Sequence, residues 1–390
     1  MEVTTNIPDT AGRLLWLTDT YGDHNGVSTV LKSIHGEIKA RNLPVDIMVC
    51  SSTAEPDDHL IVIKPFSQFT LPLYREQPMR IPNYLSVQRA FRKGKYDRII
   101  CSTEGPMGLA ALWLKNVFSV DAYFYLHTDW LSFAKEVLSL GHTGLDRVQK
   151  LMRIYYKRFG NIFVLNTDQQ KWLTGITMGF DPARVFLTSH WVDGIFSAPL
   201  YPAKNMLPFD DQRPVVLYAG RISKEKGVME LPGIMQMARS VFPEIQIVIA
   251  GTGPAEEELK TLLPEALYLG WVGQEYLPAL FRASDILLLP SRFDTFSCVV
   301  LEALTCGLPV VASNAGSLAE VIGDAAITVL PKDTVDIAQA IAAILTKPEL
   351  RRELIFKGAR QSQKFTWEKT ITQLIRTYEQ LVMCKTLKSG

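Results

Sequence analysis

The strongest constraint on this chain is an alternation, repeated along its length, of short uninterrupted apolar runs with longer stretches of helical periodicity. Runs at 14–18, 45–49, 60–63, 98–101, 122–126 and 162–165, and again at 215–219, 245–250, 285–289 and 308–312, lack the polar alternation of a strand with one wet face. Such runs suit parallel strands covered on both faces, and the helical stretches at 83–93, 106–116, 146–158 and 168–175 supply that cover. Strands and helices in this order predict doubly wound parallel sheets, which take ligands beyond the carboxyl ends of their strands.

The pattern breaks once. Residues 195–213, near Pro199, Pro202, Pro208 and Pro214, are irregular and polar enough for a linker. A chain of 390 residues that is 47% hydrophobic is long enough for two cores. The expectation is therefore two Rossmann-like α/β domains, 1–200 and 201–366, facing each other across a cleft. A formal net charge of +1, with no long basic tract or aromatic RNA-binding motif, argues against a nucleic-acid partner. Five scattered cysteines without metal-ligand spacing suit reduced thiols in a cytoplasmic protein, and neither a signal-peptide pattern nor a long apolar span is present.

The chemistry concentrates at strand ends. Asp294 lies in the turn after the 285–289 run, and Glu302 stands eight residues later in a helix that begins near Phe296. The amides near Phe296, Ser297, Cys298 and Val299, at the positive end of that helix, suit a diphosphate or sugar hydroxyls. The two acids can hold separate hydroxyl-bearing parts of one ligand; equally, Asp294 can cap the helix and Glu302 can be a solvated charge. Arg221 and Lys226, five residues apart between a strand and a helix, suit the same diphosphate, although charged loops are common. Gly22 and Gly26 form a glycine-bearing turn after the first strand, and Gly251 follows the 245–250 run. His127 follows the 122–126 run as either a structural or a functional histidine, and Asp129 reads as a helix N-cap. Residues 64–98 mix aromatic with basic side chains, which fits peripheral contact with anionic lipid or a solvated helix face beside an aromatic loop.

The segment PSRFDTFSCVVLEALTCGLPVVAS at 290–313 resembles the signature of retaining glycosyltransferase family 4, the glycosyl transferases group 1 of the GT-B fold. TDTYGDHNGVSTVL at 18–31 and GRISKEKG at 220–227 are similar to that family's first loop and donor loop. The resemblance implies a nucleotide-sugar donor gripped by Arg221 and Lys226, with Gly26 against its diphosphate and Gly251 and Val272 near the nucleotide. It implies Glu302 on the ribose, Asp294 on the sugar, and Asn25 and His127 on the acceptor side. It also implies catalysis by Arg221, Lys226, His127 and Asp294 without a metal or other cofactor, and a final helix within 367–390 that packs back on the first domain. LPLYREQ at 71–77 is similar to the branch that glycosylates lipids, so the acceptor is expected to be a lipid or a saccharide and the location the cytoplasm or the inner face of the membrane.

The family usually places Glu where this chain has Asp294, one methylene shorter. Two other readings stay open. A sugar-nucleotide epimerase on the same fold would need additional acids in the first domain, where the sequence shows no convincing set. A non-catalytic sugar-nucleotide-binding subunit would keep the fold without turnover.

Overall fold

The structure, a computed structural model, describes residues 12–23, 26–71, 74–136, 140–198, 213–292, 294–316 and 318–370. These residues divide into two compact units, one holding 12–165 and 169–187, the other 166–168 and 188–370. Most of the expected linker and of the expected final helix lies outside the described residues, as does Asn25.

In the first unit, β1 (Arg13–Thr18), α1 (Gly26–Arg41), β2 (Val45–Cys50) and β3 (Leu60–Ile63) lead into β4 (Pro65–Leu71) and β5 (Tyr74–Pro82). The chain continues through α2 (Tyr84–Gly94), β6 (Tyr96–Cys101), α3 (Pro106–Phe118), β7 (Asp121–Leu126), α4 (Trp130–Glu136) and α5 (His142–Tyr156). It then forms β8 (Ile162–Val164), α6 (Thr167–Thr174) and β9 (Val185–Leu187). Seven strands form one parallel sheet in the order β3-β2-β1-β6-β7-β8-β9. The order reverses at β1, so the loops after β1 and β6 flank the switch point where a doubly wound sheet takes ligands.

Burial explains why these segments are strands. Leu15, Leu17, Met48, Ile99, Phe124 and Val164 share one closed core, and Phe124 sets its ring 4.9 Å from Tyr156 and 5.0 Å from Phe159. The hairpin of β4 and β5 is a separate antiparallel pair that the sequence reading did not foresee. The side chains described on β4 are not sorted into a buried and a wet face, and Phe66 is 80% exposed, so the period-two signal that marks strands is missing there.

The second unit repeats the plan with β10 (Val215–Ala219), α7 (Leu231–Val241), β11 (Gln246–Ala250), α8 (Glu256–Leu262), β12 (Leu267–Gly270) and α9 (Leu277–Ala283). There follow β13 (Ile286–Leu289), α10 (Cys298–Thr305), β14 (Val310–Ser313), α11 (Leu318–Ile322), β15 (Ile327–Val329), α12 (Thr334–Thr346) and α13 (Pro348–Ser362). Six parallel strands run β12-β11-β10-β13-β14-β15, with the order reversing between β10 and β13. Residues 188–198 belong to this unit. Trp191, which stands where the family usually has glycine, is buried and packs its ring 4.6 Å from that of Trp367. Among the described residues no helix is long and apolar enough to cross a membrane.

Candidate functional site

In the second unit, the loop after β10 and the turn after β13 emerge side by side at the switch point. The loop is shaped from beneath, where the Tyr218 hydroxyl donates to the Arg221 carbonyl at 2.6 Å and the Ser223 hydroxyl to Glu225 at 2.6 Å. Gly227 closes it at φ +70°, and a Cβ there would stand 1.8 Å from the Pro290 carbonyl oxygen. Neither the backbone angle nor the space admits a side chain. Gly227→Ala is expected to destabilise the second unit by about 2 kcal/mol or more, read as a lowered melting temperature.

Several ties join the loop to the turn. The Arg292 amide donates to the Glu225 carbonyl at 2.9 Å, the Arg292 guanidinium pairs with Glu230, and the Lys226 ammonium lies 2.9 Å from the Asp294 carboxylate. Asp294 is buried and does not cap the helix: the N-cap of α10 is Ser297, whose hydroxyl makes no capping bond. The capping alternative for Asp294 is thereby replaced by an ion pair with the candidate phosphate-binding lysine. Ser297 is 3% exposed, and its hydroxyl has no hydrogen-bond partner among the described residues. It stands beside the first amides of α10, at the positive end of the helix.

α10 starts at Cys298 rather than near Phe296. Phe296 sets its ring 4.9 Å from that of His190, and Val299 packs against the core. What Phe296, Ser297, Cys298 and Val299 have in common at this end of the helix is backbone, to which Ser297 adds its hydroxyl. The Cys298 thiol is pushed well up by burial and by the charges of Glu302 and Asp294, with Lys226 opposing.

Glu302 is 8% exposed, so it is not the solvated charge that the second alternative supposed. Burial, assisted by the nearby Asp193 carboxylate, raises its pKa to about 8. At the neighbouring strand, Gly251 has φ +144°, and a Cβ there would stand 1.9 Å from the Gly220 carbonyl oxygen, so the two loops meet backbone to backbone. Val272, after β12, is partly buried against the core.

The other predicted residues lie in the first unit. Gly26 opens α1 and is exposed, and a Cβ built on it would meet nothing within 4 Å, so the fold itself does not demand glycine there. His127 follows β7, buried, with its ring 4.4 Å from that of Tyr125; burial lowers its pKa to about 3 and keeps the imidazole neutral. Asp129 accepts from the Leu131 amide at 3.1 Å, the N-cap role expected of it.

Two acids at the same sheet edge were missed. Asp19, just after β1, accepts from the Thr103 hydroxyl at 2.6 Å and the Met107 amide at 3.0 Å, and burial raises its pKa to about 6. Glu104, after β6, accepts from the Tyr156 hydroxyl at 2.7 Å, and burial raises its pKa to about 7. The available signal was positional: Asp19 directly follows β1, and Glu104 lies three residues beyond the end of β6.

Comparison with known proteins finds matches to both halves of the chain. Residues 24–193 match the family described as Glycosyltransferase Family 4, and residues 203–361 match Glycosyl transferases group 1. The chain belongs to glycosyltransferase family 4. Similarity to individual curated relatives is partial. The chain is 33% identical to the alpha-D-kanosaminyltransferase of Streptomyces kanamyceticus over 38% of its own length and 41% of the relative's. It spans less than half the length of such curated relatives. Solved structures match it more completely. The sucrose-phosphate synthase of Thermosynechococcus elongatus superposes with a TM-score of 0.78 at 21% identity, over 95% of this chain and all (100%) of that one. Anabaena Alr3699/HepE, in complex with UDP and glucose, superposes with a TM-score of 0.73 at 17% identity, over 95% of this chain and 100% of that one. At such identities the likeness concerns the fold, which is GT-B: two Rossmann-like α/β units, each on a parallel sheet.

Proposed function

We propose that this family 4 member is a retaining hexosyltransferase, moving a sugar from a UDP- or GDP-sugar to a hydroxyl of a lipid or glycan acceptor and forming an α-glycosidic bond. The observation that carries the reading is the Lys226 ammonium, held 2.9 Å from Asp294 beside the amide end of α10, with Arg221 in the same loop. A diphosphate at that place meets two cations, a helix terminus and the Ser297 hydroxyl. These groups stabilise the negative charge that grows on the departing diphosphate, and the reading invokes no metal. Donor contacts fall to residues 201–366, with Glu302 on the ribose and Gly251 and Val272 near the base. Gly26 lies against the donor diphosphate, and acceptor contacts fall to residues 1–200, with Asn25 and the neutral imidazole of His127 on the acceptor side. Peripheral membrane contact through residues 64–98 belongs to the same reading.

In the reaction the acceptor oxygen bonds to the anomeric carbon on the face that the diphosphate leaves. The bond from carbon to phosphate oxygen breaks with its electron pair, and the acceptor proton passes to a phosphate oxygen. The chain's part is to hold the two substrates and stabilise the leaving group.

The experiment is a thermal-shift screen of the full chain against UDP, GDP and their sugars, followed by transfer assays on lipid and saccharide acceptors. No shift with any of them ends the donor reading. Asp19 and Glu104 favour one rival: acids with raised pKa values in the first unit are what an epimerase would need, and conversion of the free nucleotide sugar without an acceptor would select it. The non-catalytic rival turns on Asp294. Asp294→Asn is expected to cut transfer at least about tenfold by loosening Lys226. Asp294→Glu is expected to retain measurable transfer, and activity that appears only in the Glu variant would make the natural protein the silent one.

A further inference from the structure

The near-zero net charge of the chain conceals a strongly basic face on the first unit. α2, α3 and α5 together carry seven lysines and arginines (Arg89, Arg92, Lys93, Lys115, Arg147, Lys150 and Arg153) against a single acid, Asp146. The three helices lie side by side. Tyr84 of α2 sets its ring 5.6 Å from Trp113 of α3, and Phe91 of α2 sets its ring 4.8 Å from Phe118 at the end of α3. On the other side of α3, the Lys115 ammonium donates to the carbonyl of Arg158 just beyond α5, and a Cβ on Gly108 would collide with the Tyr155 hydroxyl.

Each helix turns its apolar stripe inward and leaves aliphatic side chains outside. α2 buries Val87 and Phe91, α3 buries Met107, Ala110, Ala111 and Leu114, and α5 buries Tyr156 alone. Leu85, Leu109, Val117, Leu151 and Ile154 are left 47% to 61% exposed. On α5, Arg147, Lys150, Leu151 and Ile154 fall at helical spacing along one exposed stripe, and Arg158, just past the helix end, is exposed as well, so cations lie on either side of two aliphatic tips. On α2, Leu85, Gln88, Arg89, Arg92 and Lys93 line a shallow groove.

We infer that the outer face of α2, α3 and α5 is a docking platform for an anionic lipid bilayer. Scattered cations interleaved with protruding aliphatic side chains match a surface that is charged at its headgroups and apolar just beneath. A free phosphate would use the cations but not the leucines. A protein partner of acidic character would be expected to meet a more closed groove. The inference deepens the lipid branch of the proposed function and rests on it, and it extends the expected contact beyond residues 64–98 to α3 and α5, which the sequence did not single out.

The test is co-sedimentation of the full chain with vesicles of phosphatidylcholine alone and of phosphatidylcholine mixed with phosphatidylglycerol. Binding to the anionic vesicles is expected to be at least about a hundredfold tighter and to weaken with added salt. Reversing Arg147, Lys150 and Arg153 together to Glu should cost about tenfold or more, and so should reversing Arg89 and Arg92, because both helices face the same surface. Leu151→Ser with Ile154→Ser should lower binding and leave what remains more sensitive to salt. All of these positions are exposed, so melting temperatures and the shift produced by UDP or GDP should stay as in the natural chain. Equal binding to neutral and anionic vesicles, no binding to either, or indifference to both charge reversals overturns the platform while leaving the donor reading intact. Vesicle binding without any nucleotide shift overturns the donor reading instead.

Discussion

Lys226→Ala weakens binding of the preferred nucleoside diphosphate about a hundredfold, roughly 3 kcal/mol, in a titration of the full chain. The ammonium sits at the junction of the β10 loop and the β13 turn, 2.9 Å from Asp294. Removing it takes a charge from the diphosphate and leaves the buried Asp294 carboxylate without this partner, so the site becomes less positive by one charge and loses geometry as well. The same change lowers the melting temperature, because breaking a largely buried ion pair costs on the order of a few kcal/mol, less here since the Lys226 side chain is 28% exposed. Lys226→Arg should recover part of the affinity and little of the turnover, since a planar guanidinium cannot occupy the position of a compact ammonium. An affinity unchanged in Lys226→Ala removes the central assignment.

Glu302→Gln separates two roles that a single side chain plays. Its folded pKa, about 8, lies above the ordinary carboxylate value of 4.5. In that interval the folded chain holds a proton that the unfolded chain has released, so this residue's contribution to stability falls as the pH rises from about 4.5 to about 8. Glutamine has no such dependence. The variant should therefore match the natural protein in melting temperature near pH 5 and exceed it progressively up to about pH 8, by an amount on the order of a few kcal/mol.

Nucleotide binding should run the other way. Ribose hydroxyls donate best to the ionised carboxylate, so affinity in the natural chain rises with pH through about 8, and Glu302→Gln both lowers it and flattens the profile. A variant less stable than the natural chain at alkaline pH would mean that the carboxylate is held ionised by a partner, and the account of Glu302 would fail.

The first prediction leans on Asp294, the partner of Lys226, and the second on Glu302, two acids that the sequence places eight apart but cannot distinguish. Asp294 and Glu302 each had a bland alternative, a helix cap and a solvated charge. Whether either applied depended on which residue took the N-cap and how deeply α10 packs. Both are tertiary facts, decided by Ser297 at the cap and by the core contacts of Val300, Leu301 and Ala303. The missed acids, Asp19 and Glu104, show the same limit. A polar residue after an apolar run is ordinary, and only the closing of β1 and β6 into adjacent strands sets both acids at one sheet edge and raises their pKa values.

The sequence alone pointed to the fold class, because short runs apolar on every face, alternating with helical stretches, suit parallel strands covered by helices. It also located the cation loop and the acid turn, because each directly follows such a run. Tertiary structure alone decided partnership and exposure: that Lys226 meets Asp294, that Glu302 is shut away from water, and that three helices far apart in the chain share one basic face. Those properties depend on the distance between segments, which linear spacing does not carry, and on the local dielectric, which only packing creates.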